Sequence, residues 1–556
     1  MTHQEIEQLA EWSELNESTG QRSGIPSQAF WSNWNRSKDA MKRSGLSVIK
    51  EDGKFVALWT PQANQTESFQ TPHEAKVTNW SDEQTAIHAW FKEGTGNLVV
   101  RARAGTGKTH TSKAGLSLAP ESRMLYAVFN KKNQLEAQGK ITDRRVEVKT
   151  LHGVGYACIL RAWGKVQPDD VVEYDRTVSI CGNDAPDEVL GAVQKLVGFL
   201  KNAFTDIPTV EQAAEVCDER TIEVNGFADA SKGGWTTEKL AFKAVGVLEL
   251  SKVKDELNRI SFNDMVWLPV ACNMVSAQYD LVLIDEAQDM NAPQLEMAIR
   301  SSNGRVCVVG DDRQCIYGFR GAVQDGLGIM KDLLQASELG LTTTYRCPKS
   351  VVSIAQKYVP DYKAYESSKE GTVDTISDQK FSDVVKVGDA VLSRNNAQLM
   401  PLCLSLLRKN IPARVEGRDV GRQLVNLACK LNAKSVPNFL EKLQAWGKKQ
   451  KVRFSKRKNS VTACEQIDDQ VETLTAIAEG LASVDEIKNR ILNLFQDSNA
   501  NSRPAVVLST VHKAKGLEWS RVFLVKSSFL KKINDEEENI YYVAVTRAMD
   551  HLTFIS

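Results

Sequence analysis

The stretch NLVVRARAGTGKTHTSKAGL, residues 97–116, changes character twice. It begins as a short apolar run, turns through two glycines and continues as a helix-forming segment. Glycine enters the left-handed backbone region freely, so Gly105 and Gly107 let the chain curl until its N–H groups point inward at a phosphate. Lys108 brings a positive charge to the outer phosphates, the Thr109 hydroxyl suits Mg2+, and the N-terminus of the following helix adds its dipole. The strict pattern has glycine at position 102, where this chain has Ala102. Strand, glycine turn and helix in that order predict a parallel α/β sheet with the loop at a strand's carboxyl end.

Working outward, the alternation repeats. "NLVVRA", "MLYAVF", "VEVKTLH", "YDLVLIDEA" and "VCVVGDD" are short apolar runs separated by helical segments. Such runs suit strands buried on both faces. Two charge-rich, helix-like regions, 161–257 and 418–503, interrupt the pattern, and "AVVLSTVH", "RVFLVK" and "LTFIS" resume it. The expectation is two α/β domains, each carrying a mainly helical insertion. Residues 1–79 are polar and aromatic: "FWSNWNRSKDAMKRSG" reads as helix, and "SVIKEDGKFVALW" as a hairpin around Asp52-Gly53, with a linker after it.

The 556 residues hold 70 Lys+Arg and 70 Asp+Glu, so no general attraction to nucleic acid operates and any such binding comes from local patches. The most basic run is "KKQKVRFSKRK", 448–458. The cysteines form no CxxC pair, which points to a reduced, intracellular protein without structural zinc. The N-terminus is too polar for a signal peptide, and no apolar run approaches the ~18 residues of a membrane span. The cytoplasm is the expected location, with no membrane partner.

"YDLVLIDEAQDMNAPQ", 279–294, delivers Asp285 and Glu286 at the carboxyl end of an apolar strand, where open α/β sheets bind ligands. Asp285 suits the Mg2+ shell, and Glu286 suits a general base that orients water. Together with the glycine loop this points to nucleotide hydrolysis. "GDDRQCIYGFRGA", 310–322, follows another apolar run with acids, an amide and a basic aromatic patch. Acids facing the nucleotide and aromatics facing bases would make it a coupling element.

The remaining motifs are "WSDEQTAI" (80–87), "TLHGVGYACIL" (150–160), "TTTYRCPKSVV" (342–352), "VVLSTVHKAKGLEW" (506–519) and "YYVAVTRAMDHL" (541–552). In this order the whole series resembles superfamily 1 DNA helicases of the UvrD/Rep, PcrA-like type, over residues 80–556. The resemblance implies an α/β fold of two RecA-like P-loop domains in tandem, each with a mainly helical insertion, plus the small N-terminal extension. The first domain would comprise 80–160 and 258–338 around the insertion 161–257. The second would comprise 339–417 and 504–556 around a reduced insertion 418–503.

The resemblance also implies roles. Gln84 would read the adenine edge and Tyr345 would stack on its face. Ala104, Gly105, Thr106, Gly107, Lys108, Thr109 and His110 would cradle the ATP phosphates, with Thr109 and Asp285 on Mg2+. Glu286 would be the base and Gln314 the γ-phosphate sensor. Arg346 and Arg547, the latter at an expected helix start, would reach the γ-phosphate from the second domain once the domains close, and Glu518 would contact the nucleotide. Phe129, His152, Tyr317, Phe319, Arg320 and His512 would face DNA.

The chain departs from the family in places. Arg103 stands where many members have a small residue, and Phe319 where tryptophan is usual. The short second insertion has no recognisable duplex-contact motif, so the basic run 448–458 is a candidate for phosphate contacts. The implied activity is 3′-to-5′ translocation on single-stranded DNA by a monomer, with unwinding at single-strand–duplex junctions. Two alternatives stand beside it. One is a translocase that displaces bound proteins, with single-strand-binding or recombination proteins as partners. The other is a nucleotide-gated DNA-binding scaffold.

Overall fold

The computed structural model describes residues 14–16, 21–24, 46–51, 54–59, 80–220, 222, 234–316, 326–454, 460–496, 504–529 and 535–556. The chain divides into two compact units, 1–79 and 80–556. In the first unit, β1 (Glu14–Asn16), β2 (Gln21–Gly24), β3 (Leu46–Glu51) and β4 (Lys54–Trp59) form an antiparallel sheet in the order β1-β2-β4-β3. Glu51 pairs with Lys54, the strand pairing expected of the hairpin; Asp52-Gly53 itself lies outside the described residues. The helix expected over "FWSNWNRSKDAMKRSG" and the linker lie outside the described residues.

In the second unit the apolar runs become two parallel sheets. The first contains β5 (Leu98–Ala102), β6 (Met124–Val128) and β7 (Val146–Thr150). After a helical excursion bracketed by the short pair β8 (Gln167–Pro168) and β9 (Arg259–Ile260), it gains β10 (Tyr279–Ile284), β11 (Ser302–Gly310) and β12 (Ser337–Leu341). Its order is β12-β5-β11-β10-β6-β7, with parallel neighbours throughout. Every residue of β6 is buried, as a strand covered on both faces requires. Because β5, β11 and β10 are adjacent and parallel, the glycine loop, Asp311 and Asp285 emerge side by side from one sheet edge.

The excursion holds the helices Val171–Cys181, Asp187–Ala203, Val210–Glu219 and Thr237–Ser251 around a core that includes Val193, Leu196, Leu200, Leu248 and Trp267. A buried charge network ties it to the helix Asp264–Ala271. Lys201 Nζ lies 2.8 Å from Glu173 and 2.7 Å from Asp264, and Arg176 Nη1 lies 2.6 Å from Asp264.

The chain leaves the first sheet at Leu341. Thr342 is fixed by Glu83, which accepts from its N–H at 2.9 Å and from its hydroxyl at 2.6 Å. β13 (Thr343–Thr344) then pairs with β14 (Lys363–Ala364). The second sheet comprises β15 (Thr372–Ile376), β16 (Ala390–Ser393), β17 (Ala413–Glu416), β18 (Phe495–Gln496), β19 (Val506–Thr510), β20 (Trp519–Val525) and β21 (Ala548–Ile555). It is parallel in the order β15-β21-β20-β16-β19-β17-β18. Between β17 and β18 lie the helices Arg418–Lys430, Val436–Phe454, Ser460–Ala478 and Val484–Leu494. Among the described residues, no helix is long and apolar enough to cross a membrane.

Candidate active site

The loop after β5 has the backbone its sequence demands: Gly105 and Gly107 take φ values of 70° and 81°. Gly107 caps the helix Lys108–Leu118 without a side-chain acceptor, which leaves the helix's first N–H groups for an anion. Gly105 is required for a second reason. A Cβ there would lie 2.5 Å from Cβ of Arg346 and 2.7 Å from Oγ1 of Thr344, both in the second half of the unit. Gln84 forms a capping box with Ser81 at the start of the helix Asp82–Glu93, and its Nε2 donates to Thr111 Oγ1 at 3.2 Å beside the loop. His110 is exposed and stacks on Trp80, with ring centroids 4.9 Å apart.

The acids meet this loop. Lys108 Nζ lies 3.0 Å from Glu286 Oε2. Tyr126 donates its hydroxyl to Asp285 Oδ2 at 2.6 Å, and Thr109 lies beside the same phenol. Burial and the neighbouring Glu286 charge raise Asp285 to about 6. Burial works against ionisation of Glu286 too, but Lys108, Lys515 and the Gln288 amide outweigh it and hold that carboxyl down at about 2. Glu286 sits at φ 54° and ψ 43°, a left-handed conformation that costs a non-glycine residue free energy and clusters at functional sites.

Gln314 Nε2 donates to Asp311 Oδ2 at 2.7 Å, and the Asp311 N–H donates to Gln288 Oε1 at 3.1 Å. Gln288 in turn donates to Glu286 at 2.6 Å, so Gln314 is three hydrogen bonds from the expected base. Among the described residues, no three His, Cys, Asp or Glu side chains form a metal cluster. Thr109 and Asp285, both beside the Tyr126 phenol, fit Mg2+ only as part of a shell completed by phosphate and water, the usual Mg2+ arrangement.

The second half contributes directly. The Tyr345 N–H donates to Gly105 O at 2.9 Å, and Arg346 Nε lies 2.5 Å from Glu518 Oε2. Arg346 therefore lies beside Gly105 of the phosphate loop, with its guanidinium paired to Glu518. The Tyr345 ring is partly exposed, tilted against Tyr365 at 5.0 Å. Arg547 corrects one expectation. It follows the helix Asp535–Val545 and precedes β21, so it stands at a helix end rather than a start. Its Nε, Nη1 and Nη2 donate to Val543 O, Leu517 O and Thr546 Oγ1 at 2.9, 3.2 and 3.2 Å. Burial and the nearby Arg346 push its guanidinium down to about 10.

The family comparisons accord with this geometry. The UvrD/REP helicase N-terminal domain matches residues 80–333, and the UvrD-like helicase C-terminal domain matches residues 422–556. The chain belongs to the UvrD/Rep helicase family. It is 25% identical to F-box DNA helicase protein 1 of Schizosaccharomyces pombe, over 82% of this chain and 55% of that protein. It is 25% identical to DNA helicase II of Rickettsia typhi, over 85% and 74%. It is 22% identical to ATP-dependent DNA helicase PcrA of Staphylococcus aureus, over 54% and 58%. The chain spans about half the length of the first curated relatives it matches.

On the side of this UvrD/Rep chain expected to face DNA, Phe129 and His152 line one cavity of about 860 Å3 between the first sheet and its insertion. His152 stacks on Phe262 at 4.1 Å, and burial pushes its imidazole down to about 4. Phe262, Phe199 and Lys195 line the same cavity; no spacing in the sequence singles them out. His512 is half-buried in the short helix Val511–Ala514 and does not line the cavity. Tyr317, Phe319 and Arg320 lie outside the described residues. Lys515 was also missed. It bridges the halves, with Nζ 2.5 Å from Asp289 Oδ1 and 2.6 Å from Gln314 O.

Proposed function

We propose that this chain is an ATP-dependent DNA helicase that moves 3′ to 5′ along single-stranded DNA and unwinds duplex at junctions. The observation that carries the reading is the meeting of Lys108, Asp285, Glu286 and Gln314 at one sheet edge, with Arg346 of the second half above Gly105. Phosphoryl transfer needs positioning and cations aimed at developing negative charge. Lys108 and the loop N–H groups would hold phosphates. Thr109 and Asp285 would hold Mg2+, which supplies charge neutralisation when bound. With Lys108 drawn toward phosphate, Glu286 loses its nearest cation and its basicity rises, which suits a general base. Arg346 would stabilise charge from above, and Arg547 would reach the γ-phosphate once its donors leave Val543, Leu517 and Thr546.

In this reading residues 80–160 and 258–338 form the ATP-binding half, and the cavity lined by Phe129, His152 and Phe262 takes a single strand. Stacking of bases on such aromatics is tolerant of sequence. The direction of travel rests on the likeness of "GDDRQCIYGFRGA" and "AVTRA" to the UvrD/Rep branch.

The test is ATP turnover with and without single-stranded DNA, beside unwinding of 3′- and 5′-tailed duplexes. Lys108→Ala is expected to lower turnover by about a hundredfold or more. Near-normal turnover in that variant sinks the site assignment, and preferential unwinding of 5′-tailed duplex sinks the polarity. Stimulation by single strands without unwinding, together with displacement of a protein filament, favours the translocase instead.

A further inference from the structure

We infer that Asp361 and Tyr362 are positioning residues for nucleotide hydrolysis, a two-residue strap by which the second half of the unit holds the root of the phosphate loop at Arg103 and Ala104. The inference rests on the ATPase reading above and adds to it residues outside every motif that carried the family resemblance.

Arg103 is the first residue after β5, and it is buried. Its Nε donates to both Asp361 oxygens at 3.1 and 3.0 Å, and Nη2 donates to Oδ2 at 2.9 Å. Its Nη1 donates to Asp312 Oδ1 at 2.7 Å and Asp311 Oδ1 at 3.3 Å. One residue on, both backbone groups of Ala104 are taken by phenols. Tyr362 donates its hydroxyl to Ala104 O at 2.9 Å, and the Ala104 N–H donates to the Tyr542 hydroxyl at 2.9 Å. The two phenols are fully buried and pack edge to face.

Before the chain enters Gly105, therefore, a side chain, a carbonyl and an N–H are all committed to the second half. The line continues to the sensor, because Asp311 accepts from Gln314 at 2.7 Å. Alanine or glycine at 103 would leave Asp311, Asp312 and Asp361 facing one another without this cation.

The strap's geometry matters more than its contribution to stability. The Asp361 side chain is 47% exposed, and half-exposed ion pairs contribute little to folding. A planar guanidinium gripped by both carboxylate oxygens nevertheless fixes direction. The strap and Arg346 both belong to the second half, so the strap sets where the loop's phosphates lie relative to that arginine.

The test uses the full chain with Asp361→Asn, Asp361→Glu, Tyr362→Phe and, as reference, Lys108→Ala. ATP turnover is measured with and without single-stranded DNA, and thermal melting is measured alongside. Asp361→Asn and Tyr362→Phe are each expected to lower kcat about tenfold while KM for ATP stays within about twofold, with little change in melting. Asp361→Glu is expected to recover most of the kcat. Unchanged kcat in both strap variants while Lys108→Ala is inactive overturns the strap and leaves the ATPase reading standing. A parallel fall in kcat and melting temperature, with no recovery in Asp361→Glu, overturns it in favour of a purely structural contact. Full turnover in Lys108→Ala overturns both.

Discussion

Two of the buried charge networks among the described residues are built differently. Between the first insertion and the helix Asp264–Ala271, Lys201 and Arg176 face Glu173 and Asp264: two cations and two anions, all buried, all on one side of the chain crossing at Thr342. At the phosphate loop, Arg103 faces Asp311, Asp312 and Asp361, with Arg101 reaching Asp312 at 3.2 Å from outside. Those carboxylates come from both halves, and Asp361 is open to water. A closed, balanced network can only hold its own helices together. One that spans two halves and is short of cations reports how the halves are placed.

The contrast is broken or sharpened by variants on each side. Asp264→Ala should have the largest effect on folding, because it leaves the two buried cations Lys201 and Arg176 with only Glu173 between them. A loss of about 3–5 kcal/mol in urea denaturation is expected, with the folded fraction keeping its KM for ATP. A loss below about 1 kcal/mol erases the distinction. Arg103→Ala should cost less stability, about 1–3 kcal/mol, because Asp361 returns to solvent, but it should depress kcat more than Asp264→Ala does. Equal stability losses with unchanged kcat would make the two networks alike.

The smallest effect is in pH. Burial opposes ionisation of Asp264, but Lys201 and Arg176 outweigh it and hold the carboxyl below its ordinary 3.8. Its stabilising contribution is therefore complete above that value and is lost as pH falls through the lower folded value. Asp264→Asn should flatten the stability curve below about pH 4. An unchanged acid limb would show that other carboxylates dominate it.

Much of this was legible where the chemistry is local. The strand, the two glycines and Lys108 are contiguous, and Asp285 and Glu286 end an apolar run, so short-range pattern suffices. Arg103 drew notice only as a charge where a small residue is usual, because its partner Asp361 lies 258 residues away and "PDYKAY" has no periodicity or spacing to mark it. Arg547 was misplaced although the sequence held the correction. The acids Asp535, Glu536, Glu537 and Glu538 mark a helix N-terminus upstream, which puts Arg547 beyond that helix's end. Phe262 and Phe199 were invisible for a plainer reason: an isolated aromatic looks like any other until the fold stacks Phe262 on His152 and brings Phe199 to the same cavity.

The chain passes from the first sheet to the second at Thr342, pinned by Glu83, four residues before Arg346 and close to Gly105. In mechanical terms this is a lever with its fulcrum at the chemistry. Were the halves to rotate about Thr342, Arg346 would move through a short arc and residues farther from that point through a longer one. Small changes in side-chain contacts at the nucleotide end would thus be geared up into large displacements at the far ends, and resistance met there would be returned to the loop as a small, forceful shift.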